Sequence, residues 1–242
     1  MALNILVLQH VACEHPVSLR GMFAADLHRL TTIELDAGET LPNDLATFDA
    51  MLVMGGPVDV WEEDHHPWLR AEKAAIHAWV AAGRPYLGIC LGHQLLADAM
   101  GGTVGLATTP EVGVCHIRPT QAAATDALFA GMAATAPVLQ WHGAEVQTLP
   151  PNGVLLADNQ QGVIEAFRVG SCAWGLQYHV EVEPDTVAAW RAIPEYQSAM
   201  QAALGPVGAA ALEGQVAAVL PQINHSAALL YQRFTSIAGN RR

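Results

Sequence analysis

The sequence predicts an α/β fold: a doubly wound, mostly parallel sheet followed by a C-terminal helical extension. Three observations point there. Compact, almost wholly apolar runs recur at 3–8, 49–57 and 85–89, as expected of strands covered on both faces. Segments with apolar residues at helical spacing separate these runs. Strand–helix alternation of this kind builds parallel strands joined by right-handed crossovers.

The elements follow in order. After the strand at 3–8, residues 16–30 carry helical spacing through Val17, Met22, Phe23, Leu27 and Leu30. "TTIEL" at 31–35 is β-branched and strand-like. "DAMLVMGGP" (49–57) is a buried strand that ends in glycines. Residues 68–82 return to helical spacing, with Gly83 as the stop. A strand at 85–89, a turn at Cys90 and a helix over 91–100 close this half at Gly101-Gly102. From 103 to 178, β-like segments at 112–118, 137–141, 153–157, 162–168 and 172–178 extend the sheet or add a small antiparallel one. Beyond Pro184 the chain is helical and alanine-rich, with Gly205-Pro206 and Pro221 as breaks. The expected division is an α/β domain over 1–185 and a helical extension over 186–242.

Bulk composition narrows the function classes. Of 242 residues, 52% are hydrophobic and 14% charged, which suits a filled core and argues against disorder. The net charge of −12, without a Lys/Arg cluster, disfavours nucleic acid and anionic membranes as partners. No window approaches the roughly 18 uninterrupted apolar residues of a membrane span, so a soluble protein is expected. Cys13, Cys90, Cys115 and Cys172 form no CxxC pair, and "MALNILVLQH" lacks the basic start of a secretory leader. Reduced thiols in the cytoplasm are the expectation.

Gly88-Ile89-Cys90-Leu91-Gly92 has the form G-x-C-x-G between a strand and a helix. That is a nucleophile elbow with sulfur in place of a serine oxygen. A tight turn strains its central residue, which small flanks make tolerable, and lifts the side chain clear of the sheet. The helix start favours the thiolate and offers free N–H groups to an oxyanion. The bland alternative is a buried cysteine beside glycines that serve packing alone. A thiolate that attacks an amide also needs a proton shuttle. "WGLQYHVEVEP" (174–184) supplies one: on a strand over 174–180, His179 and Glu181 stand two apart and share a face. Imidazole can protonate the leaving nitrogen while the carboxylate fixes its tautomer. The alternative there is a strand-end histidine beside solvated Glu181, Glu183 and Asp185.

"GICLGHQ", Gly55-Gly56-Pro57 and "QYHVEVEP" together resemble the three signatures of the class I (triad-type) glutamine amidotransferase family, in order and spacing across 1–185. "VLQH", "VMGGPVDVWEEDHHPWL", "WHG" and "AWGLQYH" resemble its stand-alone, GMP-synthase-like branch. The resemblance implies a flavodoxin-like sheet with Cys90 as nucleophile, His179 as acid/base and Glu181 as its orienting partner. It implies an oxyanion hole from the N–H groups of Gly56 and Leu91, and substrate contacts from Gly55, Gln94, Trp141, His142 and Gly143. "QWHGAEV" (140–146) matches a pocket-lining loop of the family, and Glu111 in "PEVGV" is a weaker candidate. No metal or other cofactor is implied. Three departures stand out: Val180 where the family has Pro, Tyr178 for Phe, and Ala144 where this branch commonly carries Asp.

Other clusters carry less. His93 is expected to be exposed or to sit behind the site. Cys13-Glu14-His15 follows the first strand at the ligand-binding edge of such sheets and either rims the pocket or, as expected, is a loop without a direct role; Asp64-His65-His66 is expected to be a solvated loop that lacks a third metal ligand.

The reaction expected is attack of Cys90 on a γ-glutamyl amide, giving a thioester that water resolves to glutamate. The nitrogen then passes to a separate synthetase subunit, or the chain acts alone as a γ-glutamyl amide or peptide hydrolase. No phosphate loop of the S-G-G-x-D-S or G-x-x-x-x-G-K type is present, so a fused synthetase is not expected. A homodimer is compatible with the helical extension. A non-catalytic binding protein is the remaining class, disfavoured because a scaffold does not require the Cys/His/Glu set. In a cysteine peptidase of the same architecture His follows the nucleophile, and here Leu91 does.

Overall fold

In the computed structural model, which describes residues 2–241, the first half forms β1 (Asn4–Gln9), α1 (Val17–Ala25), β2 (Arg29–Glu34), β3 (Ala50–Val53), α2 (Trp68–Ala81), β4 (Tyr86–Ile89) and α3 (Leu91–Ala99). β5 (Thr103–Pro119), β6 (Ala136–Thr148), β7 (Val154–Asp158), β8 (Ile164–Val169) and β9 (Ala173–Leu176) follow, then α4 (Thr186–Arg191) and α5 (Pro194–Gly239). All nine strands form one sheet in the order β2-β1-β3-β4-β9-β8-β7-β5-β6. The half from β2 to β9 is parallel, and every pair from β9 outward to β6 is antiparallel. The segments after residue 103 therefore extend the sheet.

The apolar runs are strands because both faces are covered. Alternate residues of β1 point opposite ways. Ile5 and Val7 join one core cluster with Phe23 of α1 and Leu230 and Phe234 of α5. Leu6 and Leu8 join another with Leu69 and Ile76 of α2 and Leu95 of α3. α5 thus shares a core with the sheet, its Ala209, Leu212 and Val216 clustering with Val112, Ile117 and Val138.

Several expectations need correction. α1 stops at Ala25, well short of residue 30. Leu27 has φ 59° and is 80% exposed, and Leu30 already belongs to β2. β9 ends at Leu176, so His179 and Glu181 lie beyond the strand. His179 is held instead by an isolated bridge to Leu139. "QWHGAEV" is part of β6 and not a loop. Pro221 does not break α5; the kink is at Gly205, with φ 62° and ψ 176°. Among the described residues α5 is also long and apolar enough to cross a membrane by length and composition, its best 18-residue window reaching mean hydropathy 1.4. That window is 17% buried.

Candidate active site

The site lies at the carboxyl edge of the parallel strands, where ligands bind in such sheets. Cys90 sits between β4 and α3 with φ 51° and ψ −103°, a conformation costly for a residue with a Cβ. Its N–H donates to Leu176 O at 2.8 Å, which ties the turn to β9. The flanking glycines are sterically required. A Cβ on Gly88 would lie 2.3 Å from Gly92 O, and one on Gly92 would lie 2.2 Å from Val53 O. α3 starts at Leu91, so its first N–H groups have no carbonyl one turn behind them.

His179 and Glu181 converge on this turn although no strand carries them. His179 N–H donates to Leu139 O at 2.9 Å, and Leu139 N–H returns the bond at 3.2 Å. His179 Nδ1 lies 2.6 Å from Glu181 Oε1, both side chains being buried. Trp190 packs edge-on against the ring at 4.5 Å. Val180, the departure from Pro, donates its backbone N–H to Glu181 Oε2 at 2.9 Å, a bond that proline could not make.

Burial alone would lower the pKa of His179, but the adjacent Glu181 carboxylate and Cys90 sulfur more than reverse it, leaving it well above the ordinary value. Burial pushes the Cys90 thiol up, and the neighbouring imidazole opposes that rise. The close contact with Glu181 is what keeps the His179 imidazole protonated more readily than a free one.

A cavity of about 180 Å³ opens beside Cys90. Gly56 and Leu91 line it next to the sulfur, as do Gln94, Trp141, His142 and Gly143. Gly55 is outside the wall and packs against Glu14. Gln94 Nε2 donates to Ala144 O at 3.0 Å and to Gln177 Oε1 at 3.2 Å, while Gln177 Nε2 reaches Cys90 Sγ at 3.8 Å. His142 Nδ1 donates to Ala144 O at 2.9 Å, and its Nε2 faces Glu111 Oε2 at 3.4 Å. Glu111 stands behind the cavity, bound at both oxygens by Asn159.

Other predicted residues fall elsewhere. His93 is fully buried against Gly175 and Phe167, which excludes the exposed one of its two expected placements, and burial holds its pKa down to about 3. Asp64 pairs with Arg70 on the surface, and among the described residues no cluster of three His, Cys, Asp or Glu could hold a metal.

Sequence reasoning missed four contributors. Gln177 lies within the "QYHVEVEP" motif, but the motif alone assigns it no role. Glu14 sits in a loop expected to have no direct role; it is buried, and only its Oε1 is hydrogen-bonded, by the Tyr196 hydroxyl. Its neighbours include His179 and Glu181, and burial pushes its pKa up to about 7. Glu195 and Tyr196 come from the first turn of α5 and wall the cavity together with Ala199. No local signal in the sequence marks them.

Known proteins resemble this chain in sequence and in fold. The chain is 32% identical over 154 residues to the glutamine amidotransferase-like protein YfeJ of Salmonella typhimurium, a match covering 62% of this chain and 64% of that relative, just under two thirds of its length. It is 31% identical over 140 residues to one subunit of the glutamine-hydrolysing GMP synthase of Sulfurisphaera tokodaii, covering 57% of this chain and 70% of the other. The fold superposes on the crystal structure of a glutamine amidotransferase from Thermotoga maritima with a TM-score of 0.86 at 22% identity, covering 97% and 98% of the two chains. The class I glutamine amidotransferase profile matches residues 23–189, more than half of the sequence, and the chain belongs to that family.

Proposed function

We propose that the protein hydrolyses the side-chain amide of glutamine through a γ-glutamyl thioester on Cys90. As sulfur attacks the amide carbon, the thiol proton passes to His179, whose proton affinity Glu181 raises. The carbonyl oxygen becomes an oxyanion facing the N–H groups of Gly56 and Leu91. Collapse breaks the C–N bond, and His179 returns the proton to the departing nitrogen. Water then loses a proton to His179 and attacks the thioester. Glutamate leaves and the sulfur is reprotonated.

One observation carries the reading: a strained cysteine at a helix start, in side-chain contact with an imidazole that touches a buried carboxylate at 2.6 Å. Relatives named as single subunits of a glutamine-hydrolysing GMP synthase support transfer of the ammonia to a separate synthetase chain. A second reading, a stand-alone γ-glutamyl amide or peptide hydrolase, is favoured by the wall that α5 of the same chain contributes. The cysteines are free among the described residues, which suits a reducing cytoplasm. The test is hydrolysis of glutamine and a panel of γ-glutamyl amides by the protein alone, with Cys90→Ala as control. Slow glutamine turnover that a synthetase accelerates supports the first reading; rapid unaided turnover of a substituted amide supports the second. Equal activity in Cys90→Ala removes both.

A further inference from the structure

The Gly55–Gly56 peptide is gripped from outside the cavity. Gly55 O lies 2.9 Å from His10 Nδ1, and the other ring nitrogen of His10 lies 2.9 Å from Glu72 Oε1. Both side chains are 0% exposed, and Trp68 stacks on the imidazole at 5.3 Å. A carbonyl oxygen only accepts, so Nδ1 carries a proton. Nε2 faces a carboxylate, so a second proton lies between it and Glu72. Burial lowers the proton affinity of His10, but Glu72, the Gly55 contact and Glu14 outweigh it, and its pKa rises.

A trans peptide is planar, with C=O and N–H pointing opposite ways. The Gly55 carbonyl and the Gly56 N–H belong to one such plane. Holding that oxygen on His10 aims the N–H away from His10, and Gly56 is the member of the pair that lines the cavity with Cys90. Close packing blocks sliding of the segment. A Cβ on Gly56 would lie 2.6 Å from His10 Cβ, and one on Gly55 would lie 1.7 Å from Glu14 Oε2.

We infer that His10, locked by Glu72, is a positioning residue that fixes the Gly55–Gly56 peptide with its N–H aimed at the oxyanion formed on Cys90. The inference rests on the reading of Cys90 as nucleophile. A proton held behind the carbonyl also aligns the peptide dipole with the negative charge that develops in front of it.

Two substitutions separate positioning from packing. His10→Gln sets its amide N–H near the Nε2 position and leaves Gly55 O without a donor. His10→Asn sets one near Nδ1 and restores that donor. Expected for His10→Gln is a kcat loss of about 10²-fold with KM little changed, largely recovered in His10→Asn. Alkylation of Cys90 by iodoacetamide, which forms no oxyanion, should keep the wild-type rate in both. Wild-type kcat in His10→Gln, equal losses in the two variants, or a matching fall in alkylation would each overturn the inference. Should either variant fail to fold, the wild-type protein gives the answer crystallographically. The hemithioacetal of Cys90 with glutamate γ-semialdehyde should place its oxygen on Gly56 N–H while Gly55 O stays on His10; an oxygen turned elsewhere overturns the proposal. If wild type and Cys90→Ala hydrolyse alike, the nucleophile reading itself fails. If only Cys90→Ala is inactive while His10→Gln is unimpaired, the role of His10 alone fails.

Discussion

The Tyr196 hydroxyl donates to the Glu14 carboxylate and so joins the first turn of α5 to the loop after β1, 182 positions earlier. The same residue accepts the Trp141 indole N–H through its carbonyl at 3.3 Å. Tyr196 therefore braces one wall of the cavity, β6 with its Trp141, against the loop after β1 that packs on Gly55. A helix that looks peripheral in sequence becomes part of the site through these two bonds. The Glu14 end of the link lies close enough to His179 and Glu181 for their charges to act on it.

Glu181→Gln keeps the shape of the pair and removes its charge. An amide no longer holds the imidazolium, and the pKa of His179 should fall. The expected result is a drop in kcat of about 10²–10⁴-fold with KM little altered, by analogy with amide replacement in serine triads. Steady-state kinetics on glutamine or the preferred γ-glutamyl amide decide it, and near-normal kcat would remove Glu181 from the mechanism.

Val180→Pro deletes the N–H that reaches Glu181 Oε2 and also narrows the backbone freedom of His179. A hydrogen bond to a charged group is worth about 1.5–3 kcal/mol. In a chain of this size that corresponds to a melting-point loss of about 2–4 °C per kcal/mol. The direct contact between His179 and Glu181 survives, so kcat should fall less than in Glu181→Gln. Unchanged stability would mean that the Val180 bond contributes nothing.

What was legible in the sequence was local. The elbow at Cys90 could be read because its glycines sit within two residues of the thiol and serve contacts that sequence spacing already implies. His179 and Glu181 could be paired by their separation, yet the strand assigned to them was wrong. β9 stops at Leu176, and the bridge to Leu139 does the positioning. Leu27 and Leu30 continue the helical rhythm of α1 past its end, although the chain turns at Leu27 and Leu30 belongs to β2. "QWHGAEV" matches a loop by resemblance, but opposite its glycine β5 changes register between Leu106 and Glu111, and Gly143 sits inside a strand. Tyr196 and the His10–Glu72 pair were invisible for a different reason. Their partners are set by the docking of helices onto the sheet, and no short spacing encodes that.

Gly92→Ala tests the packing behind the elbow. The new methyl would meet Val53 O at 2.2 Å, a backbone atom of a fully buried strand that has no room to yield. Overpacking of this kind costs about 1–3 kcal/mol. It should also push α3 outward and displace the free N–H of Leu91. Lowered thermal stability should therefore accompany a loss of kcat larger than the change in KM. A variant as stable and active as wild type would show that the helix start tolerates displacement.

Glu14→Gln tests whether the second buried carboxyl is held protonated. Its pKa is pushed up to about 7 by burial, with His179 and Glu181 pulling in opposite directions, whereas an exposed glutamate titrates near its ordinary value of about 4.3. A carboxyl with a raised folded-state pKa binds its proton more tightly when folded. Its stabilising effect is complete below the unfolded pKa and is lost as pH rises through the folded one. Wild type should therefore lose stability relative to Glu14→Gln between pH 5 and 8, by about 2–3 kcal/mol across that window. An amide cannot ionise, so the variant lacks this slope, although the new side chain must still take up the Tyr196 hydroxyl. Denaturant melts of both proteins at pH 5, 6.5 and 8 measure the difference directly. A stability difference that does not change with pH, or wild type gaining on the variant as pH rises, would mean that Glu14 is ionised throughout and that the surrounding charges, not burial, control it.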